Sequence, residues 1–226
     1  MNTHQFNDRT VSVVVGGHTG IGRAVAQALA ERPGRVEVVS RRNGLDLADE
    51  RAIATYFERL GPIDHLVITA GSAAPGGKLG EVDIDAAKAA FDIKFWGTVT
   101  AAREAAKHLR SGGTITLTSG FLSRRATAGT YVKTAMNAAL EAVAKVLAKE
   151  LAPLRVNVVS PGLTDTEAYA AMSHEARHAM LESAATHLPA RRHGRAKDVA
   201  NGYLYAIDNP FMTGAIIDID GGAQIG

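Results

Sequence analysis

The chain has 226 residues, a formal net charge of +2 and 46% hydrophobic residues, enough apolar material for one sizeable core and too little length for two. Arginines scattered along a nearly neutral chain exclude a nucleic-acid stripe, and the absence of cysteine excludes a disulfide framework, a thiolate metal site and a redox thiol. Residues 1–10 are polar, and no apolar run approaches the ~18 residues of a membrane span, so the expectation is a cytoplasmic protein with no membrane or nucleic-acid partner.

The first predicted element is a strand over Val11–Gly16, whose β-branched run reads as buried on both faces. It stops at Gly16, Gly20 and Gly22, where a helix over Ile21–Glu31 begins with Ala24, Val25, Ala28 and Leu29 on one side. One glycine permits the tight turn, one lets backbone approach a pyrophosphate, and one lets the helix pack close to the strand, so the free N–H groups of the helix start face phosphate. A strand that runs into such a turn and then a helix is the context a dinucleotide site needs.

The second strand, Val36–Ser40, ends on Arg41-Arg42. An NAD site places an acid on the ribose 2′-OH at this point, whereas a 2′-phosphate needs a cation. Glu37 lies about 20 residues past the glycines, as such an acid would, but it sits mid-strand. A guanidinium forks onto phosphate oxygens, and the expected cofactor is NADP(H) over NAD(H). A helix over Ala48–Leu60 and a strand over His65–Thr69 follow. A long helix then covers Ile84–Leu109, opened by Asp83 or Asp85 and closed by Gly112-Gly113. Strand Thr114–Ser119, helix Thr130–Leu151 closed by Pro153, strand Val156–Ser160, helix Ala196–Asn209 and strand Ala215–Ile219 complete the alternation. It predicts an α/β fold: one domain over 1–226, a Rossmann-like doubly wound parallel sheet with helices on both faces. Thr166–Arg195 breaks the rhythm. It follows a strand end, where open α/β sheets bind ligands, and the stretch of about 164–195 is expected to be a lid over a small-molecule substrate, the alternative being a surface helical pair with no role.

From about Val11 to Gly222 the chain resembles the short-chain dehydrogenase/reductase family. The glycine turn Gly16-Gly17-His18-Thr19-Gly20-Ile21-Gly22 is similar to the family's cofactor loop, with Val15 where threonine is usual. Ile68-Thr69-Ala70-Gly71 resembles the Asn-Asn-Ala-Gly strand end with both asparagines changed. Thr118-Ser119-Gly120 falls where the family keeps its catalytic serine. Ser160-Pro161-Gly162-Leu163-Thr164-Asp165-Thr166 resembles the turn that holds the nicotinamide end of the cofactor, and Asp218-Ile219-Asp220-Gly221-Gly222 the closing strand. The resemblance implies NADP(H) contacts from Gly16, His18, Thr19, Gly20, Ile21, Gly22, Ser40, Arg41, Arg42, Ala70, Gly71, Pro161, Gly162, Leu163 and Thr166. It also implies that Asp46 and Leu47 flank the adenine, because a helix and most of a strand are missing between the second strand and the next. A homotetramer or homodimer through the two long helices is implied as well.

Three positions depart from the family pattern. Lys133 falls where the proton-passing tyrosine belongs, Asn137 where the lysine belongs, and Lys94 where the helix asparagine belongs. Tyr131 is the nearby tyrosine, but two helical residues rotate it about 200° from position 133, so it reaches the site only if the helix starts at Ala135 or if Thr130-Tyr131 is an extended entry. Two mechanisms stand open. In one, Lys133 donates the proton, its pKa lowered by burial and by Lys94, while Ser119 polarises the substrate oxygen. In the other, Tyr131 donates, helped by Lys94 or Lys133. The activity implied is hydride transfer between NADP(H) and a small carbonyl, alcohol or imine substrate; the alternative is a protein that holds NADP(H) with weak or lost catalysis. Phe121, Leu122, Leu163, Tyr169 and Met172 are candidates for an apolar substrate pocket. Arg124-Arg125 and Arg191-Arg192-His193 are candidates for an acidic substrate group or simply for solvated loops. His174-Glu175-Ala176-Arg177-His178 satisfies the H-E-x-x-H zinc-protease spacing, a remote alternative to a solvated helix face, and no metal is expected.

Overall fold

The computed structural model describes residues 6–71 and 73–226; residues 1–5 of the polar opening stretch lie outside these. Six parallel strands form the main sheet: β1 (Val11–Val15), β2 (Arg35–Val39), β3 (Ile63–Ile68), β4 (Leu109–Thr118), β5 (Arg155–Pro161) and β8 (Ile216–Ile219). Their order is β2-β1-β3-β4-β5-β8. A separate two-stranded pair joins β6 (Thr164–Asp165) to β7 (Gly194–Arg195). The helices are α1 (Gly20–Ala30), α2 (Glu50–Leu60), α3 (Ile84–Phe91), α4 (Gly97–Ala106), α5 (Tyr131–Glu150), α6 (His174–His187) and α7 (Ala196–Asp208).

Two-residue alternation sends β1 side chains into two separate cores. Val11, Val13 and Val15 join Ile53 and Phe57 of α2, Ala101 and Ala105 of α4, and Leu140 and Ala144 of α5 on one face. Val14 joins Val25 and Leu29 of α1 and Val199 and Tyr203 of α7 on the other. Both sheet faces are thus covered, and every residue of β1 and β3 is buried, as the near-continuous apolar runs predict. β2 is the edge strand beside β1. Only the turn Arg41–Asn43 and a short connection separate it from α2, which is the shortening expected between the second strand and the next.

Two boundaries differ from the sequence expectation. The single helix over Ile84–Leu109 is α3, a π-helical turn over Asp92–Trp96, and α4; it ends at Ala106. Gly112-Gly113 does not terminate it but lies inside β4. The pairing of β3 with β4 steps from Ile63↔Leu109 to His65↔Thr114, so the glycines sit in an irregularity where extra residues of β4 must bulge. Asp83 does cap α3, accepting from the amides of Asp85 and Ala86 at 2.8 and 3.2 Å.

Candidate active site

The chain turns from β1 to β2 on one side and places β3 on the other, so the crevice between the ends of β1 and β3 is the topological switch point of the sheet. Backbone bonds fix the glycine turn there. The Gly16 amide donates to the Val39 carbonyl at 2.8 Å and the Thr69 amide to the Val15 carbonyl at 2.8 Å. Gly16 has φ +87, and a Cβ on it would lie 2.8 Å from the Ala70 amide nitrogen. A Cβ on Gly22 would lie 2.4 Å from both the Gly16 carbonyl oxygen and Thr69 Oγ1. These two glycines therefore let the loop after β1, the loop after β3 and the first turn of α1 come within contact of one another. Thr19 at the N-cap offers no side-chain bond to the helix. The Gly20 amide instead donates to Glu167 Oε2 at 2.9 Å. His18 Nδ1, in the same turn, is buried without a partner.

At the end of β2, Ser40 opens the turn Arg41–Asn43, accepting from the Arg42 amide at 3.2 Å while its own amide donates to Asn43 Oδ1 at 2.7 Å. This reciprocal cap presents Arg41 and Arg42 as exposed side chains with no ion pair among the described residues. Glu37 is paired mid-strand with Arg35 at 2.7 Å and does not end the strand. Asp46 caps the Ala48 amide at 3.0 Å, and Leu47 is buried against the start of α4, its carbonyl oxygen 2.5 Å from where a Gly97 Cβ would stand.

Past β3, Gly71 (φ +85) lies directly on the π-helical turn: a Cβ there would be 2.9 Å from Lys94 Cα. The widened turn holds Lys94 inward at 7% exposure, and such turns recur at functional sites. Burial lowers the Lys94 pKa to about 8, and the positive charge of Lys133 adds to that fall. The roles expected from sequence are inverted: Lys94 is the lysine that burial depresses, and half-buried Lys133 supplies the neighbouring charge.

Ser119 is buried at the end of β4, as expected, but its hydroxyl donates to Glu141 Oε1 at 2.9 Å. Ser123 donates to the same oxygen at 2.6 Å, and Arg124 Nε lies 3.1 Å from Glu141 Oε2. Arg124 also pairs with Asp218 on β8. A serine has one proton to give, and in this arrangement Ser119 gives it to Glu141. Asn137, one helical turn before Glu141, packs on the Ser119-Gly120 turn, with its Oδ1 buried and unpartnered. Tyr131 is separate. α5 begins at Tyr131 itself, so neither condition for its reaching the position of Lys133 holds, and it packs against the buried cluster of Ala90, Val132 and Met136.

The remaining expectations divide. Pro161 is buried at the end of β5, and Gly162 approaches the backbone of Asp220, 2.6 Å from a would-be Cβ to its Cα. Leu163 and Phe121 pack with Ala184 and Leu188 of the α6 region. Tyr169 is half-buried, and burial raises its pKa; Met172 is exposed. Arg124 is partly exposed but engaged by Glu141 and Asp218, Arg125 bonds the Ala223 carbonyl, and Arg192 pairs with Asp198 at 2.5 Å. His174 and His178 stack with centroids 6.4 Å apart, and among the described residues no group of three or more His, Cys, Asp or Glu is placed to hold a metal. No described helix is long and apolar enough to cross a membrane.

Sequence reading missed Glu141 and Glu167. Asn137, Leu140, Glu141 and Ala144 form one buried stripe, so an acid on an apolar helix face was a readable signal. Glu167 gave none, since its partner Gly20 lies 147 residues away.

A parallel sheet with a glycine cradle at its switch point, arginines after the second strand and a buried serine at the end of β4 define a dinucleotide-dependent oxidoreductase. The chain belongs to the short-chain dehydrogenase/reductase family: the family model described as enoyl-(acyl carrier protein) reductase matches residues 44–224. It is 31% identical to the short-chain dehydrogenase/reductase ucsE of an Acremonium species over 96% of each chain. To carbonyl reductase family member 4 of Danio rerio it is 30% identical, over 95% of this chain and 98% of that one. Among solved structures it is similar to a small-chain dehydrogenase in complex with NADPH, 55% identical with TM-score 0.95 over 97% of this chain and 100% of that chain. A short chain dehydrogenase from Burkholderia cenocepacia J2315 in complex with NADP is 26% identical, with TM-score 0.85 over 98% and 100%.

Proposed function

We propose that this oxidoreductase transfers hydride between NADP(H) and a small carbonyl, imine or alcohol substrate. The observation that carries the cofactor choice is the exposed, unpaired Arg41-Arg42 at the end of β2, and the NADPH complex of the 55% identical neighbour supports it. The turn fits such a group, because His18 Nδ1 is buried there without a partner among the described residues and so leaves a polar atom for it. Gly16, His18, Thr19, Gly20, Ile21 and Gly22 would hold the pyrophosphate, Ser40, Arg41 and Arg42 the 2′-phosphate, and Asp46 and Leu47 the adenine. Ala70, Gly71, Pro161, Gly162, Leu163 and Thr166 line the path to the nicotinamide end, and the stretch 164–195 closes over the substrate. When bound, the cofactor supplies or accepts the hydride.

The protein's own chemistry centres on Lys94. An ammonium with a pKa of about 8 gives up a proton near neutral pH far more readily than an ordinary lysine, so Lys94 would be the group that holds the proton destined for the substrate heteroatom. Lys133 keeps the Lys94 pKa low. Ser119, with its proton held by Glu141, offers a lone pair and orients a substrate N–H or O–H. Asn137 fixes the Ser119-Gly120 turn. A second reading, a protein that holds NADP(H) without turnover, draws on the same Ser119–Glu141 bond, because a serine so engaged does not polarise a carbonyl.

The experiment has two stages. Arg41→Ala/Arg42→Ala should weaken NADPH tenfold or more, at about 1.5–3 kcal/mol per charged hydrogen bond, and leave NADH nearly unchanged. NADPH consumption over a panel of small ketones, aldehydes and cyclic imines, repeated with Ser119→Ala, Tyr131→Phe, Lys133→Ala and Lys94→Ala, then separates enzyme from holder. Turnover that survives Lys94→Ala sinks the mechanism, and tight NADPH binding with no turnover in any pairing favours the holder.

A further inference from the structure

The helix that should greet the pyrophosphate is already occupied by another part of the chain. Thr19 makes no side-chain cap on α1, yet the Gly20 amide is taken by Glu167 Oε2 at 2.9 Å, and Glu167 Oε1 pairs with Arg23 at 2.5 Å. Thr166 covers the same spot, its Cβ 3.3 Å from where a Gly20 Cβ would stand. A helix N-terminus favours any anion, and here a carboxylate has the seat. The Glu167 pKa lies below the ordinary carboxylate value, through its own backbone amide, the Gly20 amide and Arg23, so the group is charged throughout the neutral range. A pyrophosphate and this carboxylate cannot share one N–H, and at contact distance they repel.

Glu167 is tied to the lid. Thr164–Asp165 pairs with Gly194–Arg195, and Arg177 of α6 bonds Asp165 Oδ1 at 2.5 and 3.1 Å and the Thr166 carbonyl at 3.3 Å. A shift of Glu167 therefore pulls on both ends of the 164–195 stretch. Its side chain is 43% exposed and stands on a single short turn, Glu167–Tyr169, so little besides Gly20 and Arg23 retains it.

We propose that Glu167 is a built-in competitor for the phosphate seat, which the cofactor must displace before the lid stretch can settle over substrate. The idea rests on the cofactor reading above, and it makes the free protein a latched form that binds NADPH more weakly than the bare cradle would.

The test is calorimetry with NADPH and with inorganic pyrophosphate on wild type, Glu167→Gln and Glu167→Ala, alongside thermal melts of the free proteins. Both variants should bind NADPH roughly three- to tenfold more tightly, the factor expected if the unlatched arrangement is about 10–30% populated in wild type. Glu167→Ala should also melt a few degrees lower, because the Gly20 amide loses its acceptor and Arg23 its partner, whereas Glu167→Gln keeps an amide oxygen that can accept there and should lose less. Hydrogen exchange of residues 164–187 should change when NADPH is added to wild type and be already changed in free Glu167→Ala. A residue that merely braces the fold would lower melting temperature and affinity together. Unchanged or weaker NADPH binding in both variants, with wild type still binding, overturns the latch and leaves the cofactor reading standing. If none of the three proteins binds NADPH, the cofactor reading fails and takes the latch with it.

Discussion

Lys94 gives the most demanding prediction, because stability and function should move in opposite directions when it is changed. Its pKa is about 8 in the folded protein and 10.5 ordinarily, with burial the larger cause and Lys133 the smaller. Below pH 8 both folded and unfolded chains carry the proton, so the full cost of the buried charge is present. Between pH 8 and 10.5 the unfolded chain binds the proton and the folded one does not, so stability rises with pH through that window. At 1.36 kcal/mol per unit the cost at neutral pH is about 3 kcal/mol. Lys94→Met keeps the packing bulk and removes the charge, so it should stabilise the free protein at pH 7 by about 2–3 kcal/mol, or ~5–10 °C in Tm. The gain should shrink as the pH is raised past 8 and be nearly gone near 10.5. Urea melts of both proteins from pH 6 to 10.5, without cofactor, measure it directly. A gain that is independent of pH, or a loss at pH 7, would refute the premise that a charged lysine is held in this pocket. Lys133→Met should let the Lys94 pKa climb part of the way back and move the onset of the window upward.

Three further outcomes follow from the same geometry. Gly22→Ala places a methyl 2.4 Å from the Gly16 carbonyl oxygen and Thr69 Oγ1; it should destabilise by about 1–3 kcal/mol and abolish NADPH binding in a fluorescence titration, whereas Gly44→Ala, with nothing within 4 Å though at φ +104, should leave binding intact. Glu141→Leu strands two serine hydroxyls and half of the Arg124 pairing; Arg124 is partly exposed and can turn to water, so the cost is chiefly that of the stranded hydroxyls, about 1–3 kcal/mol, while Glu141→Gln should keep most of that stability and lower kcat with little change in KM. Trp96 is 57% exposed and Val146 50% exposed on the helices expected to join subunits; light scattering should give a dimer or tetramer, and Trp96→Glu should shift it toward monomer.

The fold was readable because its signals are local. β-branched runs broken by glycine gave β1 and its turn, and three-to-four-residue spacing gave α1 and α5. Asp83 caps α3 where a capping acid was expected. What was misread depends on contacts between distant segments. Gly112-Gly113 looks like a helix stop, yet the pairing of β4 with β3 draws it into a strand. The π-helical turn that buries Lys94 has no spacing signature, and it lies against Gly71 of the loop after β3, a contact between segments distant in sequence. Ser119 was found by its place at a strand end, but the direction of its hydrogen bond depends on Glu141, 22 residues away, and on the Arg124–Asp218 pair behind it. Individual site residues were legible, whereas the protons they share were not.

On the proposed function, the amides opening α1 and the guanidiniums of Arg41 and Arg42 together select a phosphorylated adenine dinucleotide. Calorimetric titration of the purified protein with NADPH and NADH in the same buffer tests it most directly. The expected result is saturable NADPH binding at least tenfold tighter than NADH, with the difference lost in Arg41→Ala/Arg42→Ala. Equal affinity for the two, or heat from neither, would contradict it.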